Sequence, residues 1–100
     1  MHVVGEVDLA TAPRYRSELI AAATGATGLV VDLTGCDLID SVGLGVTLGA
    51  ARRMRSTGGA FVIVANDRLR GTFERCRLDE ILDIVPDLDE LTMPGAGPLR

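Results

Sequence analysis

Between residues 29 and 49 the chain reads LVVDLTGCDLIDSVGLGVTLG, and this stretch limits the fold more than any other. Leu29–Leu33 is apolar except for Asp32, short, and preceded by glycine, which favours a buried strand over a helix. Thr34-Gly35-Cys36-Asp37 reads as a loop, and Leu38-Ile39 leads into Asp40-Ser41. A helix follows over roughly Ser41–Ser56, so a serine hydroxyl is expected at a helix N-terminus. The first N–H groups of a helix lack intrahelical partners and the dipole there is positive, so an anion such as phosphate can be held at such a place. Gly43, Gly45 and Gly49 lie in this helix, each unfavourable by about 1 kcal/mol relative to alanine. So many glycines imply close approach to a neighbouring strand, to a partner, or to both.

The flanking segments repeat the same alternation. His2–Gly5 reads as the end of a strand and Glu6–Ala10 as a turn. Thr11 is a good N-cap residue, and Pro13 fits a first helical turn. Tyr15, Leu19, Ile20 and Ala23 recur at helical spacing until Gly25 and Gly28. Ala60–Ala65, AFVIVA, is β-branched and bounded by Gly-Gly and Asn-Asp, a clear strand. Asn66 or Asp67 caps a third helix whose inner face is Leu69, Phe73 and Cys76. Leu78–Val85 holds a short terminal strand, Leu88–Leu91 a last helical turn or two, and the proline- and glycine-rich end a flexible tail. The expected fold is α/β: one layer of mostly parallel sheet, about four strands, with about four helices. Residues 1–92 form the domain and 93–100 the tail, since one hundred residues support one core.

Charge and composition exclude several functions. The net charge of −4 argues against a nucleic-acid binder, although residues 51–78 carry seven arginines against two acids. Those arginines read either as solvated helix faces or as a local patch. No apolar run is long enough to span a membrane and the N-terminus has no signal-peptide pattern, so a soluble cytoplasmic domain is expected. Cys36 and Cys76, with a single histidine, His2, make neither a metal set nor a disulfide framework. No nucleophile–base pair can be placed, and GLG lacks the lysine and spacing of a phosphate loop. A binding partner is expected rather than an enzyme, with no cofactor and no metal. Asp32 reads as a turn or cap partner, or as part of the acidic surroundings of Ser41. Ser41 has two readings that its residues alone leave open: a plain N-cap, or a modified hydroxyl.

Asp40-Ser41-Val42-Gly43-Leu44-Gly45 resembles the phosphorylation motif of anti-sigma factor antagonists, within the STAS (sulfate transporter and anti-sigma factor antagonist) domains. Gly5-Glu6-Val7-Asp8…Thr11-Ala12-Pro13 is similar to that family's first strand-to-helix turn, and CRLDEILDIVPDLDEL to its C-terminal end. The resemblance covers about residues 3–92. It departs at Val42, where many members carry a small or hydroxyl residue. It also starts one strand late, which implies an unpaired sheet edge beside His2–Gly5. The resemblance implies that Ser41 is phosphorylated by an ATP-binding anti-sigma factor with a serine kinase domain, and that a phosphoserine phosphatase reverses this. It implies a partner-binding surface of Asp8, Asp40, Ser41, Val42, Gly43, Leu44, Gly45 and Leu48. Unphosphorylated protein would bind the anti-sigma factor and free a sigma factor. The family also includes constitutive subunits of transport complexes and tails of anion transporters, for which Ser41 would be irrelevant.

Overall fold

The computed structural model describes residues 1–90, 92–93 and 97–98. Strand β1 is His2–Val7, helix α1 Ala12–Ala23, β2 Gly28–Ile39, α2 Ser41–Ser56, β3 Ala60–Val64 and α3 Asp67–Arg75. A 3-10 turn, Leu78–Glu80, precedes β4, Asp83–Val85. A second 3-10 turn, Leu88–Glu90, stands where one to two turns of helix were expected. The strands form one parallel sheet in the order β1-β2-β3-β4. Short strands β5 (Thr92–Met93) and β6 (Gly97–Pro98) pair with each other, and the rest of the expected tail lies outside the described residues. The α/β class with a four-stranded parallel sheet is as the sequence predicts, with three α-helices and two 3-10 turns in place of four helices.

β2 is longer than its apolar run. Its first part, Gly28–Asp32, pairs with β3, and its second, from Asp32 to Ile39, pairs with β1. The segment 34–37 is therefore strand and not loop, held by backbone pairing to a distant segment. β1 likewise continues through Glu6 and Val7. Gly5, with φ of +82°, sits beside a shift in the β1–β2 register, a backbone shape that favours glycine.

β3 is buried on both faces, as a central parallel strand must be. Phe61 and Ile63 join the main cluster with Leu19, Val31, Leu33, Leu44, Leu69 and Phe73. Cys76, expected on the inner face of α3, is exposed. The helix ends at Arg75, and Arg77 takes the left-handed conformation, turning the chain away. Asp32 is 8% exposed on β2 and takes the local role of its two readings. It accepts from the Thr34 N–H (2.9 Å) and hydroxyl (2.7 Å), and pairs with His2 Nδ1 (3.0 Å). Burial raises its pKa, but the Thr34 hydrogen bonds and His2 outweigh that and leave it below the usual carboxylate value.

Candidate functional site

The first turn of α2 is built by Asp40. This residue is extended (φ −94°, ψ −176°), and its carboxylate accepts from the N–H groups of Val42 and Gly43, both at 3.0 Å. Its carbonyl accepts from Leu44 N–H at 2.9 Å. Its own N–H donates to the Val7 carbonyl at 3.0 Å, tying the turn to the end of β1. Asp40 is thus the N-cap, and Ser41 is already the first helical residue. The plain-cap reading of Ser41 is corrected by this geometry. Ser41 is exposed, and among the described residues its hydroxyl makes no hydrogen bond. The expected anion cradle is corrected too. The two N–H groups best placed for an incoming phosphate are held by the Asp40 carboxylate.

Asp8 closes the neighbouring turn, directly after Val7. Its carboxylate accepts from the N–H groups of Ala10 and Thr11, both at 3.0 Å, while its own N–H donates to Thr11 Oγ1 at 2.9 Å. These bonds, led by the Thr11 N–H, hold the Asp8 carboxyl below its usual pKa. The Thr11 hydroxyl donates back to the Glu6 carbonyl at 2.9 Å. Thr11 therefore makes no side-chain cap on α1, against expectation. The register of Val7 with Ile39 brings the two turns to one end of the sheet. Asp8 and Asp40 are both half-buried there.

Beneath Ser41, α2 is locked in place. A Cβ on Gly43 would sit 2.7 Å from both Ile39 Cγ1 and Val7 Cγ1, so glycine lets the helix lie on the two strand ends. Thr47, fully buried, donates its hydroxyl proton to the Gly43 carbonyl at 2.8 Å. The Tyr15 hydroxyl lies 2.6 Å from Thr47 Oγ1 and so must be the donor there. Burial pushes the Tyr15 pKa up to about 12. Leu44 points into the core, and Leu48 is half-buried. Gly45 faces outward, where an added Cβ would meet nothing. Of the eight residues expected at a partner surface, Gly43 and Leu44 support it from below. Asp8, Asp40 and Leu48 are half-buried, and Ser41, Val42 and Gly45 are exposed.

Two apolar residues at this end escape a reading of the sequence alone. Leu9, in the turn after Asp8, is 75% exposed, and Leu38, paired with Glu6 at the end of β2, is 47% exposed. With Val42 (40% exposed), they put three large apolar side chains in water at the sheet end that carries Ser41. The signal for Leu38 was its alternation with buried Ile39, visible only once 34–39 is taken as strand. This surface offers a free hydroxyl, two carboxylates and apolar area, which suits docking. Among the described residues, no cluster of His, Cys, Asp and Glu suits a metal ion. His2 lies at the far end of β1. No described helix is long and apolar enough to cross a membrane.

Comparison with known proteins agrees over most of the chain. The anti-sigma-B factor antagonist of Bacillus subtilis (strain 168) is 31% identical over 85 residues, 84% of this chain and 78% of that protein. The anti-sigma-B factor antagonist of Listeria monocytogenes is 36% identical over 84 residues, 82% of this chain and 74% of that protein. The crystal structure of an anti-sigma factor antagonist from Mycobacterium paratuberculosis superposes with a TM-score of 0.80 at 30% identity, covering 89% of this chain and 77% of that one. The STAS domain profile matches residues 1–91, and the chain belongs to the STAS domain family.

Proposed function

We propose that this chain is an anti-sigma factor antagonist of the cytoplasm. It binds an anti-sigma factor through the surface around Ser41, and phosphorylation of Ser41 by that partner's serine kinase domain switches it off. The observation that carries this reading is the Ser41 hydroxyl: exposed, without a hydrogen bond among the described residues, and held in a rigid first turn by the Asp40 cap. A hydroxyl with no structural duty can be modified without loss of the fold. The relatives named above carry the antagonist role in their names, and the chain matches most of their length.

The switch follows from charge. Phosphorylation adds about −1.5 to −2 charges. The new group sits next to Asp40, and the Val42 and Gly43 N–H groups are already engaged by that carboxylate. Like charges and an unsatisfied phosphate in an apolar contact of Leu9, Leu38 and Val42 weaken docking. About 1.4 kcal/mol per tenfold in affinity makes a penalty of a few kcal/mol enough to release the partner. The protein acts as substrate and ligand, not as an enzyme, and a phosphoserine phosphatase restores the binding form.

The test incubates the chain with anti-sigma kinases from the same genome and ATP, reading intact mass. A gain of one phosphoryl group in the wild type and none in Ser41→Ala is the expected result, with partner binding lost in Ser41→Asp. A tight complex indifferent to Ser41→Asp, with no phosphoryl gain from any candidate, would overturn it in favour of a constitutive scaffold.

A further inference from the structure

Helices α1 and α2 follow successive parallel strands and lie side by side, both running back along the sheet. Their seam is not filled. A groove of about 370 Å³ runs along it from Val42, at the Ser41 end, to Arg53 in the last turns of α2. From Val42 to Arg53 the helix rises about 16 Å. Ile20 and Val46 line its walls. Gly45 and Gly49 keep one wall low, and a Cβ on either would meet nothing, so neither glycine serves packing within this chain. The two glycines are nonetheless unfavourable to the helix by about 1 kcal/mol each.

The charge of the groove is one-sided. Its charged lining residues are Arg16 and Arg53, neither of which joins an ion pair among the described residues, and no carboxylate lines it. This occurs in a chain whose net charge is −4. A long apolar slot with guanidinium groups and no acid is complementary to an aliphatic chain ending in an anion. The two ends are not equivalent. Arg16 lies toward the end that holds Asp8 and Asp40. At Arg53 the groove opens into a second hollow of about 480 Å³, lined by Thr24, Thr57 and neighbouring glycines without an acidic side chain. An anionic head therefore meets less repulsion at Arg53.

We infer that the α1–α2 groove binds a free medium-chain fatty acid, its alkyl chain along Ile20, Val46 and the two glycines and its carboxylate at Arg53. Such a ligand lies beside the Ser41 surface and is a chemical input separate from phosphorylation. The size of the groove falls in the range of small-molecule sites.

The experiment titrates the full chain with sodium dodecanoate below micelle formation, read by calorimetry and by amide chemical shifts. Dodecyltrimethylammonium serves as the charge-reversed probe. Saturable one-to-one binding with shifts concentrated on α1 and α2 is expected. Gly49→Leu fills the groove and favours helix, and should weaken dodecanoate at least about tenfold. Arg53→Gln should weaken it about tenfold, more than Arg16→Gln does. Thermal melting of each variant confirms that it is folded. Absence of saturable binding, equal binding of the cationic probe, shifts scattered over the surface, or a folded Gly49→Leu that binds as the wild type does would each overturn the inference. Arg16→Gln as the more damaging change would overturn the placement of the carboxylate. The phosphotransfer test above reads Ser41 and is independent of every one of these outcomes.

Discussion

The first two turns of α2 have an underside and an outer corner, and the two are built on opposite principles. On the underside every group is committed. Gly43 leaves no space above Val7 and Ile39, and Tyr15, Thr47 and the Gly43 carbonyl form a buried chain of hydrogen bonds. At the corner, Ser41 is bonded to nothing within the described residues, and Leu9, Leu38 and Val42 stand in water. Only two residues separate a position that tolerates no added methyl, Gly43, from one whose side chain stands in solvent, Ser41. The difference teaches that a modifiable surface needs a rigid support. If the support yielded, a charge at Ser41 would be absorbed by local rearrangement instead of being felt by a partner.

The comparison can be attacked most severely at Gly43. Gly43→Val places branched carbon where even a single Cβ meets two side chains at 2.7 Å. Val7 and Ile39 are 1% and 3% exposed and cannot step aside cheaply. A loss of about 3 kcal/mol is expected, from overpacking, measured as a fall in the urea midpoint. The next blow falls on the buried chain of hydrogen bonds. Thr47→Val keeps the shape but strands the Tyr15 hydroxyl, 3% exposed, without its partner. A buried unsatisfied donor costs about 2 kcal/mol. Stability equal to wild type in either variant would mean that the underside is soft.

Much of this arrangement was legible in the sequence, and the remainder fails for a common reason. The strand–turn–helix path through Leu29–Ser56 is local: an apolar run, a capping residue, a helix, all within reach of one another. The motif DSVGLG marks the start of α2, where Asp40 caps the helix and Ser41 is exposed. What was not legible depends on distant partners. Thr34, Gly35 and Asp37 have loop composition, and only pairing with β1 makes them strand. Leu9 and Leu38 look like core residues until the turn and the strand register point them outward. Gly43, Gly45 and Gly49 are the same letter in one helix, yet one is wedged against two strand ends and the others open on a groove. Which residue caps α2 was a choice between adjacent polar side chains, decided by Asp40 being extended where Ser41 is helical.

Smaller changes sharpen the contrast. Asp40→Ala removes the acceptor for two backbone N–H groups, and about 1 kcal/mol of stability should go with it. Gly45→Ala works in the opposite direction. Its methyl meets nothing and the helix gains about 0.5–1 kcal/mol, so the urea midpoint should rise. A loss in Gly45→Ala would show that the outer wall of α2 is as tightly packed as its inner one.

The smallest expected effect is the most discriminating. If Ser41 were the cap of α2, Ser41→Ala would cost about 1 kcal/mol. In this structure the cap bonds belong to Asp40, and Ser41 contributes its backbone to the helix and its side chain to solvent. Ser41→Ala should therefore leave the urea midpoint within about 0.5 kcal/mol of wild type, as surface changes away from special features do. Alanine is also the better helix former, so any small shift should be toward greater stability. Run beside Asp40→Ala in one denaturation series, the pair separates the residue that holds the turn from the residue the turn displays. A Ser41→Ala loss as large as that of Asp40→Ala would assign the hydroxyl a structural task. Modification would then unfold the first turn instead of only charging its surface.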